Sequence, residues 1–468
     1  MSSPRPPSAA NATPPGPERI DSKAGPNIAV SRRGWLQGTA GTLAGSLASR
    51  AGADWSNRPG KARSVIMIFN CGAPSHLDLV DPKPLASDTV RGPFAPIETA
   101  VPGLWFTELI PEVAQIANEL AVVRTVHHTH GGHNSGMHWS IVGRPYKVDS
   151  TLINPAPSDH PSLGTLVGWL AQRDGYSGHL PPYVITPYPH CDSTVYITPG
   201  QYGGCLGVRY DPFVLDADPN AKDFRVRNLG LAEGLTPQRF QDRQSLQAGL
   251  SSHSRPIVSG LAASHDVFHS RAASMILSGD AARAFDLSKE PDSVRERYGR
   301  HSWGQSHLLA RRLVEAGVPF VSTVNGRSII WDTHEDNFNR LQKNLVPPMQ
   351  RAWVALIQDL KERGLLDSTL VLWIGDFGRT PMINPKAGRD HWPQCYSVVL
   401  AGGGLRGGQV IGASDSIGAV PKDRPVTPAD IHATIFSALG YSSREMTYQM
   451  VDGRPMPLSD GQPIRELL

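Results

Sequence analysis

Cysteine is scarce: four in 468 residues, at Cys71, Cys191, Cys205 and Cys395, with no CxxC spacing. That excludes a zinc ribbon and a thioredoxin-type redox motif. Cys191 and Cys205 flank a Gly-rich loop and could pair in an oxidising compartment; the alternative is two unrelated thiols. An excess of one charge is also lacking. The +3 balance is 45 Lys/Arg minus 42 Asp/Glu, and residues 1–53 hold six of the bases and two of the acids. The rest stands at 39 minus 40, or −1, which excludes nucleic-acid binding driven by phosphate neutralisation. Beyond the leader region no apolar run is long enough to span a bilayer. The glycines at 402–404 and 407–408 lack the GxGxxG order and a helix behind them, which argues against a dinucleotide fingerprint. Gly (46) and Pro (41) are plentiful, as in a chain of many loops between elements rather than a helical bundle.

Residues 1–30 are polar and Pro-rich, with little to bury. Ser31-Arg32-Arg33-Gly34-Trp35-Leu36 follows, then a mildly apolar Gly/Ala/Leu run and Ala51-Gly52-Ala53. Paired arginines, a weakly hydrophobic stretch and a small-residue cleavage site predict a twin-arginine export leader over 1–53 and a periplasmic or extracellular destination.

From residue 54 onward, short apolar runs alternate with helical spacing. Ser64–Phe69, Leu120–Val126, Leu180–Thr186, Val318–Val324, Leu370–Ile374 and Ser397–Ala401 read as strands. His160–Gln172, Ser306–Ala316, Leu345–Leu360 and Thr427–Leu439 read as helices between them. Such alternation predicts an α/β fold, a doubly wound and mainly parallel sheet with helices on both faces. Residues 187–300 are less regular and read as an insertion or cap.

Four polar clusters each trail one of these strands. Asn70–Asp81 contains Asp78. The segment His127–His138 holds five of the 17 histidines in 12 residues, with Ser135 among them. Asp332 and His334 stand two apart in the third, and Asp376, Arg379, Arg389 and His391 occupy the fourth. In a parallel sheet these carboxyl ends meet at one edge, where ligands of open α/β sheets bind. Mixed Asp and His donors suit a divalent cation, zinc or manganese where histidines dominate and calcium or magnesium where oxygens do. Arg379 or Arg389 could hold an anionic substrate through a fork of N–H donors.

The stretches CGAPSHLDLVDPKP, WDTHEDNF, GDFGRTPMINPKAGRDHW, LAGGGLRGGQVIG and DGRPMPLSDGQPI resemble, in order, the exported bacterial family called domain of unknown function 1501. That family is grouped with the alkaline phosphatase and sulfatase superfamily. The resemblance implies an alkaline phosphatase/sulfatase-like α/β domain over 54–468. It assigns metal binding to Asp376, His391, Asp332 and His334, with Asp78 a distant substitute for an acidic ligand after the first strand. Phe377 stands where a second ligand belongs. The usual nucleophile position, about ten residues before Gly143, is held by His133; Ser135 serves only in a shifted register. The implied activity is hydrolysis of a sulfate or phosphate ester by metal-activated water. Its rival is a degenerate, non-catalytic member that binds an anionic glycan or a protein partner.

Overall fold

Seven of the eight strands in the main sheet point the same way, so their carboxyl ends share one edge. The computed structural model describes Trp55 and residues 58–468, except 194–195, 227–228, 230, 232–233 and 254–260. The leader expected over 1–53 lies outside the described residues. The strands are β1 (Ser64–Asn70), β2 (Leu120–Val126), β3 (Tyr183–Thr186), β4 (Phe213–Val214), β5 (Phe320–Asn325), β6 (Thr369–Gly375), β7 (Tyr396–Gly402) and β8 (Gln409–Ile411). They lie in the order β8-β2-β7-β6-β1-β5-β3-β4. Every neighbouring pair is parallel except those of β7, which runs against both β2 and β6.

The reversal of β7 has a local cause. No crossover helix separates Gly375 from Tyr396, so the chain stays at the carboxyl edge and must re-enter the sheet from there. Helices α1 (His133–Val142) and α2 (Leu163–Arg173) lie between β2 and β3, α3 (Ser302–Glu315) between β4 and β5, α4 (Val346–Glu362) between β5 and β6, and α5 (Pro428–Ala438) follows β8.

Alternation along β1 shows how two cores form. Ile66 and Ile68 face a cluster containing Leu308 and Leu309 of α3 and Trp353 and Leu356 of α4. Val65, Met67 and Phe69 face the opposite cluster, with Met137 of α1, Leu166 of α2 and Ile435 of α5. A strand buried on both faces must be apolar at every position, which is why these segments read as continuous runs. Helix ends are set by side chains: Ser162 accepts from Thr165 N–H ahead of α2, and Thr427 and Asp430 form a capping box ahead of α5.

Within 187–300, β4 adds a short edge strand beside β3, and Phe285, Leu287 and Tyr298 are buried in the core on the α3 side. All four cysteines are free thiols, so Cys191 and Cys205 are not paired. Among the described residues, no helix is long and apolar enough to cross a membrane.

Candidate metal centre

Four connections at the carboxyl edge deliver the polar residues. The loop after β2 leads into α1, whose first residue is His133. The loop after β5 carries Asp332 and His334, and β6 ends directly before Asp376. Beyond it, Gly378–Arg379 pairs antiparallel with His391–Trp392, setting His391 opposite Arg379. Gly72, after β1, closes the floor: it adopts a φ of 100°, and a Cβ there would stand 2.6 Å from the Asp332 nitrogen. Only glycine allows that approach.

Three imidazoles meet around the Asp332 carboxylate. His133 Nδ1 lies 2.7 Å from Asp376 Oδ2, His391 Nδ1 lies 2.7 Å from the Gly131 carbonyl, and His334 Nδ1 lies 2.6 Å from Asp390 Oδ1. Carbonyls and carboxylates only accept, so each Nδ1 carries a proton, and in the neutral ring the Nε2 is the atom that keeps its lone pair. Those Nε2 atoms converge. His391 Nε2 lies 3.2 Å and His334 Nε2 3.0 Å from Asp332 Oδ1, with 3.0 Å between the two nitrogens. His133 Nε2 lies 3.4 Å from Asp332 Oδ2 and, though buried, makes no hydrogen bond. His133, Asp332 and His391 offer atoms all within 4.8 Å of one another.

This donor set fits a tetrahedral cation. Ligand atoms about 2.1 Å from a zinc-like ion stand roughly 3.4 Å apart along a tetrahedron's edges. Histidine ligands whose far nitrogen is held by a carboxylate or carbonyl are the usual outer shell of such a centre. Nitrogen outnumbers oxygen here, which suits zinc better than calcium or magnesium. Phe377 forms the dry wall: its ring stacks on His133 at 5.1 Å and lies 4.7 Å from His391.

Several residues expected at the site stand elsewhere. Asp376 is fully buried behind His133, with Gly72 N 3.1 Å and 3.2 Å from its two oxygens, so it orients His133 and does not face the cluster itself. Arg379 is also fully buried. It ion-pairs with Asp332 at 2.6 Å, donates to the carbonyls of Ala73, Gly72 and Arg389, and offers no open fork to an anion. Arg389 grips Asp78 with two bonds of 2.8 and 2.9 Å, and Asn337 donates to the same carboxylate. Asp78 is therefore no ligand and Arg389 no substrate clamp. Ser135 donates to Asp149 Oδ1 at 2.7 Å and accepts from Ser150 N–H, which ties down a loop and removes it as a nucleophile.

Of the five-histidine run, only His133 enters the centre. His128 Nε2 donates to the Asp376 carbonyl at 2.7 Å, and burial pulls its pKa down to about 4. His138 donates to the Pro199 carbonyl and is likewise held neutral by burial. Sequence reasoning overlooked Asp192. It follows β3, so the rule that picked the other clusters applied to it, but it falls in the irregular region assigned to a cap. Asp192 N–H donates to the Tyr196 carbonyl, which also accepts from Asn134, and Ser328 donates to the Asp192 carbonyl. Burial raises the Asp192 pKa, His133 opposes the rise, and Asp376 and Asp332 add to it.

The centre makes metal-free stability depend on pH. Burial lowers the His133 pKa, but the Asp332 and Asp376 carboxylates on either side of the ring outweigh it and raise the group to about 9. A folded-state pKa above the unfolded value of about 6.5 stabilises the fold below that value, and the contribution is lost as pH rises through 9. The gap is worth about 3 kcal/mol. Chelator-treated protein should therefore unfold at lower urea at pH 9 than at pH 6.5, and His133→Gln should flatten that difference. An equal slope in both proteins would remove His133 as its source.

The chain has likenesses among solved structures at low identity. A sulfatase from Pseudoalteromonas sp. shares 11% identity at a TM-score of 0.34, over 81% of this chain and 67% of that one. A phosphonate monoester hydrolase from Silicibacter pomeroyi shares 12% at 0.35, over 86% and 75%. An alkaline phosphatase superfamily protein from Vibrio parahaemolyticus shares 11% at 0.34, over 82% and 70%. Likeness at this level bears on neither reaction nor substrate. No curated protein matches the chain. Residues 62–468 match the family described as protein of unknown function DUF1501, and the chain belongs to that family.

Proposed function

We propose that this chain is a metal-dependent hydrolase of sulfate or phosphate esters, exported by the twin-arginine route and working outside the cytoplasm. One observation carries the reading: three imidazoles with their Nδ1 protons committed turn their Nε2 atoms on a single carboxylate, the donor set a metal ion takes once those nitrogens are deprotonated. His133, His391 and Asp332 would hold a zinc-like ion, and His334 stands ready as a fourth donor. Such an ion supplies Lewis acidity, polarising a phosphoryl or sulfuryl oxygen and bringing the pKa of water towards neutrality. The chain's own groups do the rest. Asp376 and Gly131 fix two ring orientations, Phe377 keeps the inner wall dry, and Arg379 neutralises part of the Asp332 charge. The His334 side chain, 43% exposed, marks the open side from which an ester would enter.

A second reading has its own support. Both arginines expected to hold an anion have committed donors, and Ser135 is bound to Asp149. That favours a non-catalytic member binding an anionic glycan or a protein partner. Metal analysis with turnover of aryl sulfate, aryl phosphate and bis-aryl phosphate separates the two. The hydrolase reading requires about one equivalent of metal and turnover lost on chelation. Asp376→Ala, which frees His133 Nδ1, should weaken metal binding roughly 10–100-fold. Less than about a tenth of an equivalent of metal after folding with supplement would sink the metal reading altogether. Export is checked by following the chain with and without Arg32→Lys and Arg33→Lys in a host with the twin-arginine machinery; equal export of both chains would reject that route.

A further inference from the structure

A cleft of about 450 Å³ lies away from the metal centre, lined by Trp169, Gln172, Arg173, Arg209 and Tyr210. Two segments build it. Trp169, Gln172 and Arg173 come from the last turns of α2, and Arg209 and Tyr210 from the short turn Val208–Tyr210. The carboxyl end of α2 lies by the opposite edge of the sheet from Asp332: Asp174 accepts from Tyr441, and the neighbouring Gly440 packs on Gly60, just ahead of β1.

The chemistry of the lining is specific. Two aromatic rings, neither fully buried, line it, and an aromatic ring suits the C–H surface of a sugar. Each has a guanidinium beside it: Arg209 lies 4.5 Å over Tyr210, and Arg173 lies 5.5 Å over Trp169. The two cations differ in what they have left to give. Arg173 is locked to Asp174 by bonds of 2.6 and 2.9 Å. Arg209 donates to the Tyr210 hydroxyl and, among the described residues, has no carboxylate within ion-pair distance. Its remaining N–H groups form a fork of the geometry that sulfate and carboxylate accept.

We infer that this cleft binds an anionic saccharide, with sugar rings on Trp169 and Tyr210 and a sulfate or carboxylate group on Arg209. The site is independent of the metal centre and holds whether or not that centre hydrolyses anything. It would keep a polymeric ligand on the protein while a different part of the same ligand reaches the other edge of the sheet.

The test measures binding of dextran sulfate and of neutral dextran of equal length, by calorimetry at physiological salt, to the full chain. Dextran sulfate should bind and dextran should not. Arg209→Ala and Trp169→Ala should each weaken binding at least tenfold, with Trp169→Phe intermediate as a check that loss does not come from misfolding. Asp332→Asn, at the metal centre, and Arg283→Ala, at an exposed cation elsewhere, should leave affinity within twofold. Equal binding of the two polymers, undiminished binding by Arg209→Ala, or an equal loss in Arg283→Ala would each overturn the assignment; the last would mean diffuse attraction of a polyanion. Failure of this test leaves the metal content and turnover of the chain as they were, and failure of those leaves this one untouched.

Discussion

Asp332→Ala should strip the centre of its ion and destabilise the fold in one step. Asp332 is the only carboxylate on which the Nε2 atoms converge, and its side chain is 16% exposed, so water cannot easily take its place. It also holds Arg379, whose guanidinium is fully buried. The imidazoles of His133 and His391 and the charge of Arg379 outweigh burial and hold the Asp332 carboxyl far below the usual carboxylate range. Removing the carboxylate deletes a ligand and leaves an uncompensated buried cation. The first loss should weaken metal binding more than the roughly 10–100-fold expected of an outer-shell change. The second should cost about 3–5 kcal/mol even without metal. Metal per chain after dialysis and urea unfolding of chelated protein measure the two separately. Asp332→Asn keeps the shape and part of the hydrogen bonding, so it should lose the metal while recovering some stability. An Asp332→Ala protein that keeps a full equivalent of metal would dismiss this centre.

How much of this was legible in the chain depends on what kind of information each feature needs. The parallel sheet was readable because strands buried on both faces must be apolar along their length, as Val65–Phe69 and Leu370–Ile374 are. The shared edge followed from strand direction, and with it the nearness of His133, Asp332, His334 and His391. The reversed β7 was also implicit, in the lack of a helix between Gly375 and Tyr396, but that lack went unread. Roles within the edge were not legible. Whether a carboxylate binds a metal or a histidine depends on which neighbour reaches it first. Gly72 and His133 take Asp376, and Arg389 takes Asp78, 311 residues away in sequence. Nothing local in DHW or DLVDP encodes those choices. The density of histidines after β2 was likewise a poor guide, because four of the five serve packing or backbone carbonyls and only the residue at the start of α1 points into the centre.

The pair that misled the sequence reading gives the other large effect. Asp78 and Arg389 are both fully buried and joined by two parallel bonds, and the arginine's remaining N–H groups reach the carbonyls of Thr380, Pro381 and Val90. Asp78 also accepts from Asn337 in the segment just after His334. One ion pair thus ties the loop after β1 to the two loops that carry Asp332, His334 and His391. Asp78→Ala should cost about 3–5 kcal/mol, because Arg389 stays charged and, among the described residues, pairs with no other carboxylate. Asp78→Leu with Arg389→Met removes both charges at similar volume and should recover most of that loss. Metal content at temperatures below unfolding should stay near the level of the unaltered chain in both variants, since neither side chain reaches the cluster. That combination distinguishes a structural clasp from a ligand: a ligand would lose metal with little change in chelated stability. Should Asp78→Ala release the metal from a chain that remains as stable as before, Asp78 belongs in the coordination shell and the clasp reading fails.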